Sequence, residues 1–211
     1  MLRLICSCLC LSALLGLAGC GTPMRIVSDG TGSAVIPLRG LGDGFPKEVR
    51  SALHQPGVVD ADSLYVRIYY NDRGYRGYIA NVYRFWEGGQ SLIRGQFLGS
   101  DRPADHEPIV TRIDGDVRGE QLAIPPGVLG ATVGVYKVVA DDIYIENFDR
   151  HFPGGPTFRV YHGKIDENGF TLHRYYDLTG LFPNWKDWKA MEQPLRYIRH
   201  RVGPMEGSPT W

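Results

Sequence analysis

From Ser63 onward the side chains alternate. "SLYVRIYY" sets Leu64, Val66, Ile68 and Tyr70 against Tyr65, Arg67 and Tyr69, the period of two that turns neighbouring side chains to opposite faces of a strand. After the turn residues "NDRG" come "YIANVYRFW", then "EGG", then "QSLIRGQFL". Tyr75, Tyr78, Ile79, Val82 and Trp86 are also nearly helically spaced. The β-branched and aromatic content, with Gly88-Gly89 between two short runs, predicts a hairpin instead. Residues 99–132 carry the weakest pattern, with "DRPADHEP", "IDGDVRGE" and "IPPG" marking loops around two short strand-like runs. The alternation then returns. "GVYKVV" and "IYIENFD" flank "ADD", while "TFRVYHGKID" and "FTLHRYYDL" flank "ENG", where Asn168-Gly169 is the best short hairpin signal in the chain. "NWKDWKAME" predicts one or two helical turns, "PLRYIRHRV" a last strand, and residues 203–211 a mobile tail.

Short strands joined by tight turns predict a mainly β domain over 45–202, built as an antiparallel meander. Some eight strands of this length would leave open edges, so closure into a small barrel or strongly curved sheet is expected. One or two short helices accompany it. In "FPKEVRSALHQPG", Pro46 suits a first turn, Val49 and Leu53 share a face, and Pro56-Gly57 stops the helix. Residues 20–44 are rich in Gly, Ser and Pro without a sustained period and read as a tether. "VYRFWEGG", "VYKVVADDIYIENF" and "VYHGKIDENGFTL" together resemble lipocalin-like (calycin) barrels over about residues 63–202. The Gly-x-Trp of a lipocalin's first strand does not occur, and no ligand-binding residue carries over.

The N-terminus follows another pattern. Arg3 precedes the apolar run "LICSCLCLSALLGLA", which is shorter than the ~20 residues a membrane-spanning helix needs. A charged start, a short apolar run and small residues before a break predict a secretory signal peptide over 1–19; the alternative is a buried N-terminal helix. Leu17-Ala18-Gly19-Cys20 resembles the lipobox of bacterial lipoproteins. That resemblance implies a diacylglyceryl group on the Cys20 thiol, with Cys20 as the new N-terminus. Gly21, where inner-membrane retention usually has Asp, implies the outer membrane of a Gram-negative envelope, facing the periplasm. The four cysteines all lie within the first twenty residues, so a chain cut before Cys20 keeps no free thiol for a disulfide, a metal or a nucleophile.

Charge and motifs narrow the chemistry. The 23 basic residues less Arg3, against 23 acidic, leave a formal charge of −1. That gives no electrostatic case for nucleic acid or for a polybasic membrane patch. Attachment is then expected through the lipid, since acyl chains contribute about 0.8 kcal/mol per buried methylene. Gly40-Leu41-Gly42-Asp43-Gly44 loosely matches a dinucleotide-binding turn. Pro37 interrupts the strand before it and no βαβ unit follows, so it reads as a loop. No Gly-x-Ser-x-Gly occurs. Asp114, Asp116 and Glu120 lack the calcium-loop spacing, and Asp141, Asp142, Glu146 and Asp149 read as ordinary strand and turn acids. Either hairpin register around Asn168-Gly169 puts His162 and His173 on one face, where a metal would need a further ligand such as Glu146 or His151; two solvated histidines is the simpler reading, and no cofactor is expected. Arg159 and Glu146 are expected on outer faces. Tyrosines and phenylalanines crowd the strands, and they suit a barrel wall or a cavity for one small molecule. The expected function is non-enzymatic: binding a hydrophobic or amphipathic ligand. The alternative is a structural lipoprotein whose solid barrel contacts another envelope protein.

Overall fold

The computed structural model describes residues 24–28, 33–37, 42–72, 76–101, 131–149, 157–178 and 187–204. Its elements are β1 (Met24–Ser28), β2 (Ser33–Pro37), α1 (Lys47–Ser51), β3 (Ser63–Asn71), β4 (Gly77–Phe85), β5 (Gln90–Gly99), β6 (Ala131–Val139), β7 (Asp142–Asp149), β8 (Thr157–Asp166), β9 (Gly169–Leu178) and β10 (Lys189–Arg201). Strands β3 to β10 pair antiparallel in chain order, and β10 returns to pair with β3. The meander therefore closes into an eight-stranded barrel in which every strand has a partner on each side.

Several expectations change at the level of elements. The stretch read as a tether contains the β1–β2 hairpin, with Met24 opposite Pro37 and Ser28 opposite Ser33. Helix α1 ends at Ser51, so Val49 is buried while Leu53 is 88% exposed. The two do not share a packed face. Of residues 184–192, expected to form helical turns, 184–186 lie outside the described residues and 189–192 belong to β10, which begins at Lys189 and pairs with Tyr175 of β9. Its pairing shifts between Ala190 and Leu195, the interval containing Pro194, which has no N–H for a ladder bond. The helical alternative for residues 75–86 gives way to β4, which pairs along its length with β3 and β5.

The register fixes which side chains point inward. Tyr65 opposes Tyr83, Tyr83 opposes Ile93, Tyr136 opposes Ile145, and Tyr197 opposes Phe170. These residues meet across the lumen with Phe85, Val138, Ile143 and Leu172 in one buried cluster. Rings fill it: Phe170 stacks on Tyr197 at 4.7 Å, Tyr83 on Phe85 at 5.4 Å, and Phe85 meets Tyr136 edge-on at 4.7 Å. Each such pair contributes about 0.5–1.5 kcal/mol beyond the area it buries.

The outer wall is buried as well. Phe45 and Val49 lie on Trp86, Leu92, Val133, Phe148, Val160 and Tyr176, all outward-facing residues. Leu64, Val66, Ala80 and Val82 form a second outward-facing buried group. Much of the barrel thus has an apolar layer on both faces, which explains why "IYIENF" and "VYKVV" carry large residues at consecutive positions.

Candidate functional site

The two ends of the barrel differ. At one end the connections are short: residues 86–89, 140–141 and 167–168. Residues 52–62 lie at this end too. Val59 joins the lumen cluster, the Asp60 N–H donates to the Tyr65 hydroxyl at 2.9 Å, and the His54 ring meets Tyr136 at 5.0 Å. At the other end the connections are residues 72–76, 100–130, 150–156 and 179–188.

The lumen follows this asymmetry. Its closed half is the aromatic cluster, where Tyr65, Tyr83, Phe85, Phe170 and Tyr197 are 0–2% exposed. Its open half is lined by half-buried side chains: Arg67, Tyr69, Asn81, Arg159, Tyr161 and Tyr175. Pairing of Arg67 with Asn81, Asn147 with Arg159, and Tyr161 with Tyr175 turns all of them inward. Between the halves lies a polar layer. Asn147 Nδ2 donates to the Tyr83 hydroxyl at 2.5 Å. Burial pushes the Tyr83 hydroxyl well above its ordinary range, with Tyr197 and Tyr161 adding to the effect. Burial likewise raises the Tyr197 hydroxyl; Tyr161 adds to this, while Arg67 and Asn81 oppose it. The phenols of Tyr83 and Tyr197 therefore stay protonated, able both to donate and to accept.

The cations of the open half are held differently. Arg159 Nε donates to Asp177 Oδ1 at 2.6 Å, and its guanidinium lies 4.8 Å from the centre of the Tyr175 ring. Burial works against this charge, yet Tyr161 and Asp177 hold its pKa above the ordinary arginine value. Lys189 Nζ reaches the other Asp177 oxygen at 3.3 Å. Arg67 packs its guanidinium over Tyr69 at 4.3 Å, and among the described residues no carboxylate lies within ion-pair distance of it. Across Asn81 from it, Gly95 of β5 contributes no side chain at that level. The open half is thus a cup with a polar floor, cationic walls and aromatic surfaces.

No family model, curated protein or solved structure matches this chain.

The residues singled out from the sequence are distributed as follows. Cys20, His151, Asp114, Asp116 and Glu120 lie outside the described residues. His162 and His173 are not opposite each other. Ile165 pairs with Phe170 as one expected register required, but a bulge after Gly163 pairs His162 with Arg174 and leaves His173 as the extra, exposed residue. Arg174 Nε–H donates to His162 Nδ1 at 2.9 Å, so the ring proton sits on Nε2 and is donated to Asp142 at 2.7 Å. Burial lowers the His162 pKa, partly offset by Asp142. Both ring nitrogens are engaged within the wall, and among the described residues no group of three metal-ligating side chains converges.

Arg159 and Glu146, expected on the same outer surface, face opposite ways. Asn147 is the partner of Arg159, so Arg159 points into the lumen and Glu146 points outward. Glu146 is nonetheless fully buried, accepting the N–H groups of Gly44 at 2.9 Å and Gly42 at 3.2 Å. A Cβ on Gly44 would sit 2.4 Å from that carboxylate. Gly42 and Gly44 thus let the backbone approach the protein's own carboxylate. Sequence reading passed over Arg67, Asp177 and Lys189. The alternation in "SLYVRIYY" gave the signal that Arg67 shares a face with Tyr65 and Tyr69, but not that this face is the inner one.

Proposed function

We propose that this protein is a lipid-anchored envelope lipoprotein, attached through Cys20 to the outer membrane and facing the periplasm, and that its barrel binds one amphipathic small molecule. The anchor rests on the lipobox resemblance of Leu17-Ala18-Gly19-Cys20 after a short apolar leader. The binding reading is carried by one observation: packed rings fill only the closed half of the lumen, and half-buried polar and aromatic side chains line the rest. Small barrels of this strand number can hold one ligand when side chains leave room. The mixture of guanidinium, phenol and ring faces favours an amphiphile over a purely hydrophobic molecule. The reading is of a binding protein and not an enzyme.

Native mass spectrometry of the full-length protein in neutral detergent, with analysis of its organic extract, tests this. A one-to-one small-molecule adduct lost on extraction is expected. A barrel that carries no adduct and takes up no amphiphile would overturn the reading. For the anchor, labelled palmitate should enter the wild-type chain and not the Cys20→Ser variant, which should leave the membrane fraction.

A second reading has its own support. Tyr70 lies on the outer wall, 52% exposed, with its ring edge-on to Tyr78 at 5.2 Å. Such an aromatic pair suits contact with another envelope protein. Cross-linking in intact cells that depends on Tyr70 would favour this structural role.

A further inference from the structure

We propose that the barrel's ligand carries an anionic head group, a carboxylate or a phosphate monoester, and binds head-inward, with the anion on Arg67 and the hydrocarbon running toward the mouth. The proposal rests on the lumen being a ligand cavity.

Arg67 is the residue that demands a partner. It is turned into the lumen by its pairing with Asn81, is half-buried, and among the described residues its guanidinium packs on the Tyr69 ring face, at 4.3 Å, with no carboxylate in ion-pair distance. A contact through the ring face uses none of the guanidinium N–H groups, which can make two parallel hydrogen bonds to an anion. The other lumen cations differ, because Arg159 and Lys189 already share Asp177. A partly desolvated cation without a counter-charge is costly in a protein wall. A carboxylate or phosphate supplied by the ligand would remove that cost.

The surroundings fit a head followed by a tail. At the level of Arg67, Asn81 opposes Gly95, so β5 puts no side chain into this layer; a Cβ built on Gly95 would meet only Asn81 Oδ1 within 4 Å, at 3.4 Å. Below lies the Tyr197 hydroxyl, close enough to Arg67 and Asn81 to be influenced by both. Above, toward the mouth, Tyr69 opposes Ile79 and Ile79 opposes Phe97, so three apolar inward positions follow one another across β3, β4 and β5. Phe97 is 51% exposed, an unusual state for an inward phenylalanine unless a molecule covers it. Polar groups at depth and apolar groups at the rim orient an amphiphile with its charge inside.

The test uses the full chain in phosphatidylcholine nanodiscs, titrated calorimetrically with octanoate, octyl phosphate and octanol. At least one anion should bind one-to-one, with octanol about tenfold weaker or more. The tighter of the two anions assigns carboxylate or phosphate. Arg67→Gln should weaken anion binding by about tenfold or more while leaving octanol unchanged, and Arg67→Lys should restore part of it. Gly95→Val, which alters no charge, should weaken all three probes by putting a side chain where Gly95 leaves none in this layer, and it keeps the test available if Arg67→Gln fails to fold. Octanol binding as tightly as the anions, or Arg67→Gln binding anions like wild type, overturns the head-inward assignment while the ligand reading stands. Failure of every probe to bind overturns both.

Discussion

His162 shows how a single side chain can be mistaken for a ligand. Its ring lies against Tyr144 at 4.6 Å and Trp188 at 5.7 Å, while Arg174 and Asp142 occupy its two nitrogens. This arrangement holds the neutral imidazole and leaves no lone pair for a metal. His54 and His162 are both held below the ordinary value of 6.5, each chiefly by burial. The unfolded chain therefore binds more protons than the folded one once the pH falls below 6.5. Their contribution to stability is intact above 6.5 and is lost as the pH falls from there through the folded-state values. Urea midpoints measured from about pH 8 to about pH 5 should decline below that point, and His162→Gln should flatten part of the decline.

Among the elements, the hairpin of β8 and β9 was the most legible in the sequence, and its defect the least. Asn168-Gly169 marks the turn, with the Asn168 N–H donating to Asp166 at 2.8 Å. Gly169 adopts φ +140, and a Cβ there would lie 2.0 Å from the Tyr197 carbonyl. Gly169→Ala should therefore destabilise the barrel by about 2–4 kcal/mol, read as a shifted denaturation midpoint. The bulge at Gly163 carries no such signature. It is demanded by the approach of β9, where a Cβ on Gly163 would come 2.0 Å from the Thr171 carbonyl, and proximity between strands cannot be read from one strand's composition. The segment 42–51 behaves likewise. Its glycines look like loop punctuation, yet Glu146, distant in sequence, holds them to the outer wall. Glu146→Ala removes the carboxylate that accepts from the Gly42 and Gly44 N–H groups and should cost about 1–3 kcal/mol. Hydrogen exchange should show amides 42–45 losing protection before the strands do.

For the whole molecule, the asymmetry of the lumen predicts an asymmetry of mutational cost. Phe170 is fully buried among Tyr65, Tyr83, Phe85 and Tyr197, so Phe170→Ala should cost about 3–5 kcal/mol. Tyr69, inward but half-buried in the open half, should cost about 1 kcal/mol or less on replacement by alanine. Equal costs in thermal or chemical unfolding would mean that the open half is packed like the closed half.

The sequence by itself determined the local features: alternating strands, turns at Gly88-Gly89 and Asn168-Gly169, a short helix ended before Pro56-Gly57, and closure as the way to hide so many strand edges. Each is a property of neighbouring residues and of their period. What alternation cannot specify is which face is the inside. In β3 the aliphatic face of Leu64 and Val66 and the aromatic face of Tyr65 are both buried, so hydrophobicity alone does not separate lumen from outer wall. Only the tertiary structure decided that Tyr65 and Arg67 look inward, that Glu146 looks outward beneath the 42–44 loop, and that a bulge parts His162 from His173. The physical reason is the same in each case. A strand's side-chain period is local, whereas the partner that covers each face comes from a distant part of the chain.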